Sequence, residues 1–230
     1  MEFEIALRYL PEFWRGIIAT FWLSLATVCV GTLVGLAAVP FRIWPNRVVR
    51  WIGWVVINPF RILPVLVLLV WGFYAFPLLV GRSFRVDAWW VAVIALGLNM
   101  GAFCAELFRS AVEEVPAEQV QASRSLGMSW FDTFRYVVIP LAYRNARVPY
   151  LNQVLQTIKL TVLAAIISVR EIYHVTADVI QQTNHPLEMY TVLALLLFVP
   201  LLVCTLAVEW MESRLRARGG RRTWQIGKEV

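Results

Sequence analysis

Five runs of about twenty or more mostly apolar residues, near 14–39, 51–79, 88–107, 148–169 and 187–210, dominate this chain. A hydrocarbon core about 30 Å thick takes about 20 residues of α-helix to cross, at 1.5 Å per residue. Within lipid, backbone N–H and C=O groups must find partners inside their own segment, so these runs are expected as helices. Composition agrees. Of 230 residues, 60% are hydrophobic and 16% charged, against about 25% charged in soluble domains. The expectation is an all-α membrane protein with about five transmembrane helices, a single domain over residues 1–230 with its core at 14–216. The first run starts near Phe13, too late and too long for a cleaved signal, and no small-residue cleavage pattern accompanies it. Cys29, Cys104 and Cys204 lie in separate apolar runs without metal-ligand spacing, and read as small apolar core residues.

Prolines and charges set boundaries and orientation. The first run is expected to stop at Pro40, and Pro11 argues against a continuous helix from the amphipathic, Glu-rich stretch 1–13, expected at the outer interface. Arg42, Arg47 and Arg50 follow the first run, and Arg109, Arg124, Arg135, Arg144 and Arg147 occupy the insert after the third. Arg214, Arg216, Arg218, Arg221, Arg222 and Lys228 fill the C-terminal end. With five spans these three segments share one side. The other side holds Arg8, Arg15, Arg82, Arg85 and Arg170 with Glu2, Glu4, Glu12, Asp87, Glu171 and Asp178. Lys/Arg-rich loops stay in the cytoplasm, so the N-terminus is expected outside and the C-terminus cytoplasmic. The net charge of +6 is then an orientation device. The basic tail 217–230 reads as a solvated cluster, with no nucleic-acid partner implied. Gly31 and Gly35 form a small-xxx-small pattern that permits close helix approach.

The stretch 106–140 breaks the apolar pattern, and 116–140 reads as a cytoplasmic elbow. Pro116 suits a first helical turn, 117–126 holds good helix formers, and Gly127 can take the left-handed conformation that closes a helix. Ser129 with Asp132 three residues on then starts a second helix. Two short capped helices between spans make a docking surface, with Val120, Leu126, Met128, Trp130 and Phe131 as apolar knobs.

Polar residues inside the apolar runs are the candidate site. Arg61 and Lys159 each cost about 2.5–3.5 kcal/mol to insert, so each must face protein or a water-filled cavity. Pro59 and Pro64 bracket Arg61 and predict a broken span, a form found at transport sites. Such cations either attract a substrate carboxylate or pair internally with Glu106 or Glu171. Asn99, Asn152 and Gln153 either line the same pathway or bond between helices. His174 and His185 flank an outer stretch read as a surface or gate-like helix, with no zinc spacing. No nucleophile–base arrangement occurs, and no G-x-x-x-x-G-K-[ST] phosphate loop, so the chain is expected to be no enzyme and to bind no ATP itself.

These residues carry a resemblance. Glu118 to Gly127, EQVQASRSLG, with Val137-Val138-Ile139-Pro140 after it, resembles the motif Gly-Gln-x-Glu-Ala-Ala-x-Ala-Leu-Gly of bacterial ATP-binding-cassette importer permeases, in particular the polar amino acid group. Gln119, Ala122, Leu126, Gly127 and Pro140 agree; Gln121 replaces the motif's glutamate and Glu118 its leading glycine. Phe60-Arg61-Ile62-Leu63-Pro64 is similar to the group's Arg-Gly-Thr-Pro, with Leu68 where Gln is common. The stretch 99–106 with Arg109 resembles Ala-Tyr-x-x-Glu-x-x-Arg, and Lys159 to Leu163 resembles Lys-Asp-Thr-Ser-Leu without the acid. The likeness spans about 16–216.

The resemblance implies a type I importer permease in the bacterial inner membrane, moving polar amino acids or a related solute such as an opine or ectoine. It implies a second permease, identical or similar, and ATPase subunits that bind ATP and Mg. It implies a periplasmic or lipid-anchored solute-binding protein. Gln119, Val120, Gln121, Ala122, Ser123, Leu126, Gly127 and Met128 would meet the ATPase, and Arg61, Lys159, Asn99, Glu106, Asn152 and Gln153 would line the pathway. Against it stand a passive channel or scaffold, which needs no capped elbow, and a membrane enzyme using Glu106, Glu171 or the histidines, which lack catalytic spacing.

Overall fold

The computed structural model describes residues 7–81 and 87–220, with side chains through Arg214. All described elements are helices. They are α1 Leu10–Ile43, α2 Arg47–Ile62, α3 Val65–Val80, α4 Ala88–Glu113, α5 Ala117–Ser125, α6 Trp130–Ile167, α7 Ile172–Thr183 and α8 Pro186–Gly220. Helices α1, α4, α6 and α8 are each long and apolar enough to cross a membrane, and the pair α2–α3, bent by 99°, makes a fifth crossing if it is one span. The expected all-α fold with about five spans is therefore present. The charges at Arg82 and Arg85, the first six residues of the amphipathic stretch and the tail beyond 220 lie outside the described residues.

Four boundaries differ from expectation. Pro11 falls in the first turn of α1, where a missing N–H costs nothing, so the helix begins four residues earlier than the run at 14. It also passes through Pro40 and ends only at Ile43, because Trp44 is held extended before Pro45. The elbow's second helix is not separate: it is the first turns of α6, continuous with the fourth span. Ser129 still caps it, accepting the Asp132 N–H at 3.1 Å. Pro116 stands one position before α5, as its N-cap.

Proline also shapes the helix interiors. The π-helical turns Trp71–Ala75 and Phe134–Val138 each end two residues before a proline, Pro77 and Pro140. A proline ring meets the carbonyl four residues back; widening that turn to i→i+5 relieves the clash. The far end of α6 tightens to a 3₁₀ segment, Thr161–Ile167, and stops at Ser168, which is left-handed at φ 66°.

The centre of the bundle is the α1–α4 contact. Both helices carry a small-xxx-small pair, Gly31/Gly35 on α1 and Gly97/Gly101 on α4. A Cβ on Gly35 would stand 2.6 Å from Cys104 Cβ, and one on Gly101 would stand 2.6 Å from a Val34 methyl. Only glycine lets the two backbones come so close. Around this seam α3, α4 and α6 bury Leu69, Val93, Leu96 and Ala164, while α7 and α8 close the far end on Phe13.

Candidate functional site

Glu106 on α4 gathers three arginines. Arg42 from α1 donates to its Oε2 at 2.8 Å, Arg61 from α2 lies 3.8 Å from the same oxygen, and Arg109 donates to Oε1 from one turn along α4. Arg109 also pairs with Glu113, and Arg42 reaches the Arg50 carbonyl at 3.4 Å. Arg61 sits over the Phe103 ring, 5.4 Å from its centroid. Between the two readings of Arg61, the internal pair with Glu106 is the arrangement seen. Arg42 and Arg109 joined this node unannounced. The signal for Arg109 was present in the i,i+3 and i,i+4 spacing with Glu106 and Glu113.

Asn99 explains how the broken span is held. The Phe60 carbonyl would normally accept from residue 64, which is Pro64 and has no N–H. Asn99 Nδ2 donates to it instead, at 2.6 Å. Leu63, extended before Pro64, turns the chain by 99°. Asn99, Arg61 and Glu106 thus brace α2 against α1 and α4.

Lys159 lies apart from this node. It is exposed on α6, with Asn152 and Gln156 exposed on the same face at spacings of i, i+4 and i+7. Gln153 beside them is half-buried. Lys159 makes no ion pair among the described residues. Gln156 was missed in the sequence, although its place in that helical spacing marks it. Elsewhere on α6, Ala142, Ala146, Leu155 and Thr157 are buried in the bundle.

The elbow presents an apolar tip. Leu126, Trp130 and Phe131 are 83%, 68% and 63% exposed. Gly127 joins α5 to α6 at φ 82°, and Trp130 stacks on Phe134 at 5.3 Å. Gln119, Gln121 and Ala122 are exposed, Val120 and Met128 partly so. Ser123 is buried inside the elbow, its hydroxyl 2.8 Å from the Val120 carbonyl oxygen and 3.2 Å from Thr133 Oγ1. It ties α5 to α6.

At the far end Glu171 is fully buried and caps α7, accepting the His174 N–H at 2.9 Å, while its Oε2 has no partner among the described residues. Burial pushes its pKa up to about 7, against backbone hydrogen bonds from Tyr173 and His174 that lower it. His174 and Asp178 face each other at 3.8 Å, and Arg170 also meets Asp178, at 3.2 Å. No group of three metal-ligating side chains occurs among the described residues.

Comparisons with known proteins fit this geometry. Residues 28–217 match the family described as "Binding-protein-dependent transport system inner membrane component". The nopaline transport system permease protein NocM of Agrobacterium fabrum is 30% identical, over 96% of each chain. The glutamine transport system permease protein GlnP of Escherichia coli is 28% identical, over 90% of this chain and 94% of its own. A solved structure described as an amino acid ABC transporter with histidines superposes with a TM-score of 0.86 at 26% identity, covering 93% of this chain and 99% of that one. A methionine transporter structure, MetNI, shares the fold with a TM-score of 0.72 at 20% identity.

Proposed function

Because this chain belongs to the binding-protein-dependent transport system inner membrane components, we propose that it moves a polar amino acid or an opine inward as one half of an ATP-driven permease pair. Two relatives point to that solute class: one is named for nopaline and one for glutamine. The site geometry supports a half-pore. A Lys–Gln–Asn face on a membrane span is too costly against lipid, so a second permease, a copy or a similar chain, covers it and encloses a polar pathway. Lys159, Asn152, Gln153 and Gln156 line that pathway. Arg61, Asn99 and Glu106 hold its broken wall.

Driving force enters at the elbow. In this reading Leu126, Trp130, Phe131 and Met128 insert into a cleft on a separate ATPase subunit, which carries the ATP and Mg. A periplasmic or lipid-anchored protein delivers the solute at the opposite face, where α7 lies. ATP binding draws the ATPase pair together and, through the two elbows, rocks the permease pair about its central site. Nucleotide does this by binding one conformation better than the other.

The observation that carries the coupling is the large exposed apolar tip at a glycine-hinged elbow. It is tested by affinity purification from membranes of cells expressing the whole transporter. The wild-type chain is expected to bring down its ATPase. Leu126→Asp with Trp130→Asp is expected to lose it by about tenfold or more, at unchanged permease abundance. Undiminished ATPase recovery with that double variant would remove the elbow from the coupling.

A further inference from the structure

Within that proposed pathway, the charge balance at Lys159 narrows the solute class. Lys159 lies eight residues before Ile167, the last residue of α6. That is about 12–16 Å from the far end of the helix, close to mid-membrane. Its neighbour Leu160 packs into the core with Leu96 and Ala164 and offers no charge. Among the described residues of α6, the exposed face around Lys159 adds only the amides of Asn152 and Gln156.

No described acid is available to neutralise it. Glu106 is held by three arginines. The other described acidic residues lie toward the ends of the spans or in the connections between them. A second copy of this chain would therefore bring another Lys159 to the pathway and, among the described residues, no carboxylate at its depth. A fixed cation in a narrow, weakly screened cavity favours an anion and opposes a further cation. Amide oxygens can accept hydrogen bonds from one ammonium group, which suits the α-amino end of an amino acid.

We infer that the carried solute bears more carboxylates than cationic groups, and that Lys159 is its countercharge in the membrane. The inference rests on the permease reading above. A zwitterion with a neutral side chain leaves Lys159 without a full counterion. An arginine-like solute adds a positive charge with no acid to receive it.

The test uses the purified permease–ATPase complex, binding measured without the solute-binding protein by tryptophan fluorescence. The probes are glutamate, glutamine, arginine and nopaline, the last with three carboxylates against two cationic groups. Glutamate or nopaline is expected to bind about tenfold or more tighter than glutamine and arginine. Lys159→Ala is expected to erase that difference, and Lys159→Arg to keep most of it. The inference is overturned if glutamine or arginine binds as tightly as the anions, if none of the four binds, or if Lys159→Ala keeps the preference. That last result would place the charge preference at groups other than Lys159. ATP-driven uptake into proteoliposomes separates the two levels. Uptake without charge preference leaves the permease reading intact and removes this inference; a complex lacking ATPase removes the permease reading itself.

Discussion

Two carboxylates in this chain have opposite surroundings. Glu106 is ringed by Arg42, Arg61 and Arg109, so its charge is held and shared among three helices. Glu171 is just as firmly placed, but one of its oxygens is buried with no donor among the described residues. Burial without a counterion favours the neutral acid, hence its pKa of about 7. The folded value lies above the unfolded one. Stability from the neutral carboxyl is therefore fully present at low pH and is lost as pH rises through about 7. The loss is at most about 3 kcal/mol, at 1.36 kcal/mol per unit. Melting of the purified transporter is accordingly expected at lower temperature near pH 8 than near pH 5. Glu171→Gln, which is neutral throughout, should flatten the profile and raise the melting point at the alkaline end. An unchanged pH profile in that variant would mean water or a partner chain serves Oε2.

At the scale of elements, the α1–α4 seam is set by backbone approach. Gly35 has no room for a methyl: its nearest obstacle is Cys104 Cβ at 2.6 Å, with the Gly101 carbonyl at 3.2 Å. Gly35→Ala should force the helices apart and lower stability by about 1–3 kcal/mol, as overpacked cores do. Cys104→Gly removes the opposing atom. The double variant should regain part of the lost melting temperature, and failure to regain any would show that the Gly101 carbonyl is the true stop. This seam was half legible. Gly31 and Gly35 stood out in the sequence, while Gly97 and Gly101, four residues apart in an equally apolar run, carried the same signal unread. The spans were legible because lipid demands long apolar helices, and the break at Pro59 and Pro64 because proline removes N–H donors. The ends of α1 and α6 were not. Pro11 and Pro40 look like stops in one dimension, but the first fits an initial turn and the second is absorbed within the helix. The pairing of Arg61 with Glu106 was legible, but the part of Arg42 was not, because it reaches Glu106 across 64 positions of sequence.

For the whole molecule, the proposed coupling asks one joint to carry force between an ATPase and a membrane pathway. Between α5 and α6 the chain turns at Gly127, φ 82°, where an added Cβ would meet none of the described residues within 4 Å. Space is therefore free there, and only backbone conformation restricts the residue. Asparagine tolerates the left-handed region, whereas a β-branched side chain resists it by about 1–2 kcal/mol or more. Gly127→Asn is expected to keep the solute carried per ATP hydrolysed near the wild-type value in proteoliposomes. Gly127→Val should tilt the Leu126–Phe131 tip away from its cleft and lower that ratio by roughly tenfold, while Lys159 and its face on α6 stay as they are. Both variants remove the glycine, so a loss common to both would assign the joint to glycine's flexibility. A loss in the valine variant alone assigns it to the fixed left-handed turn, a rigid lever through which α5 moves with α6. Normal coupling in the valine variant would take Gly127 out of the transmission altogether.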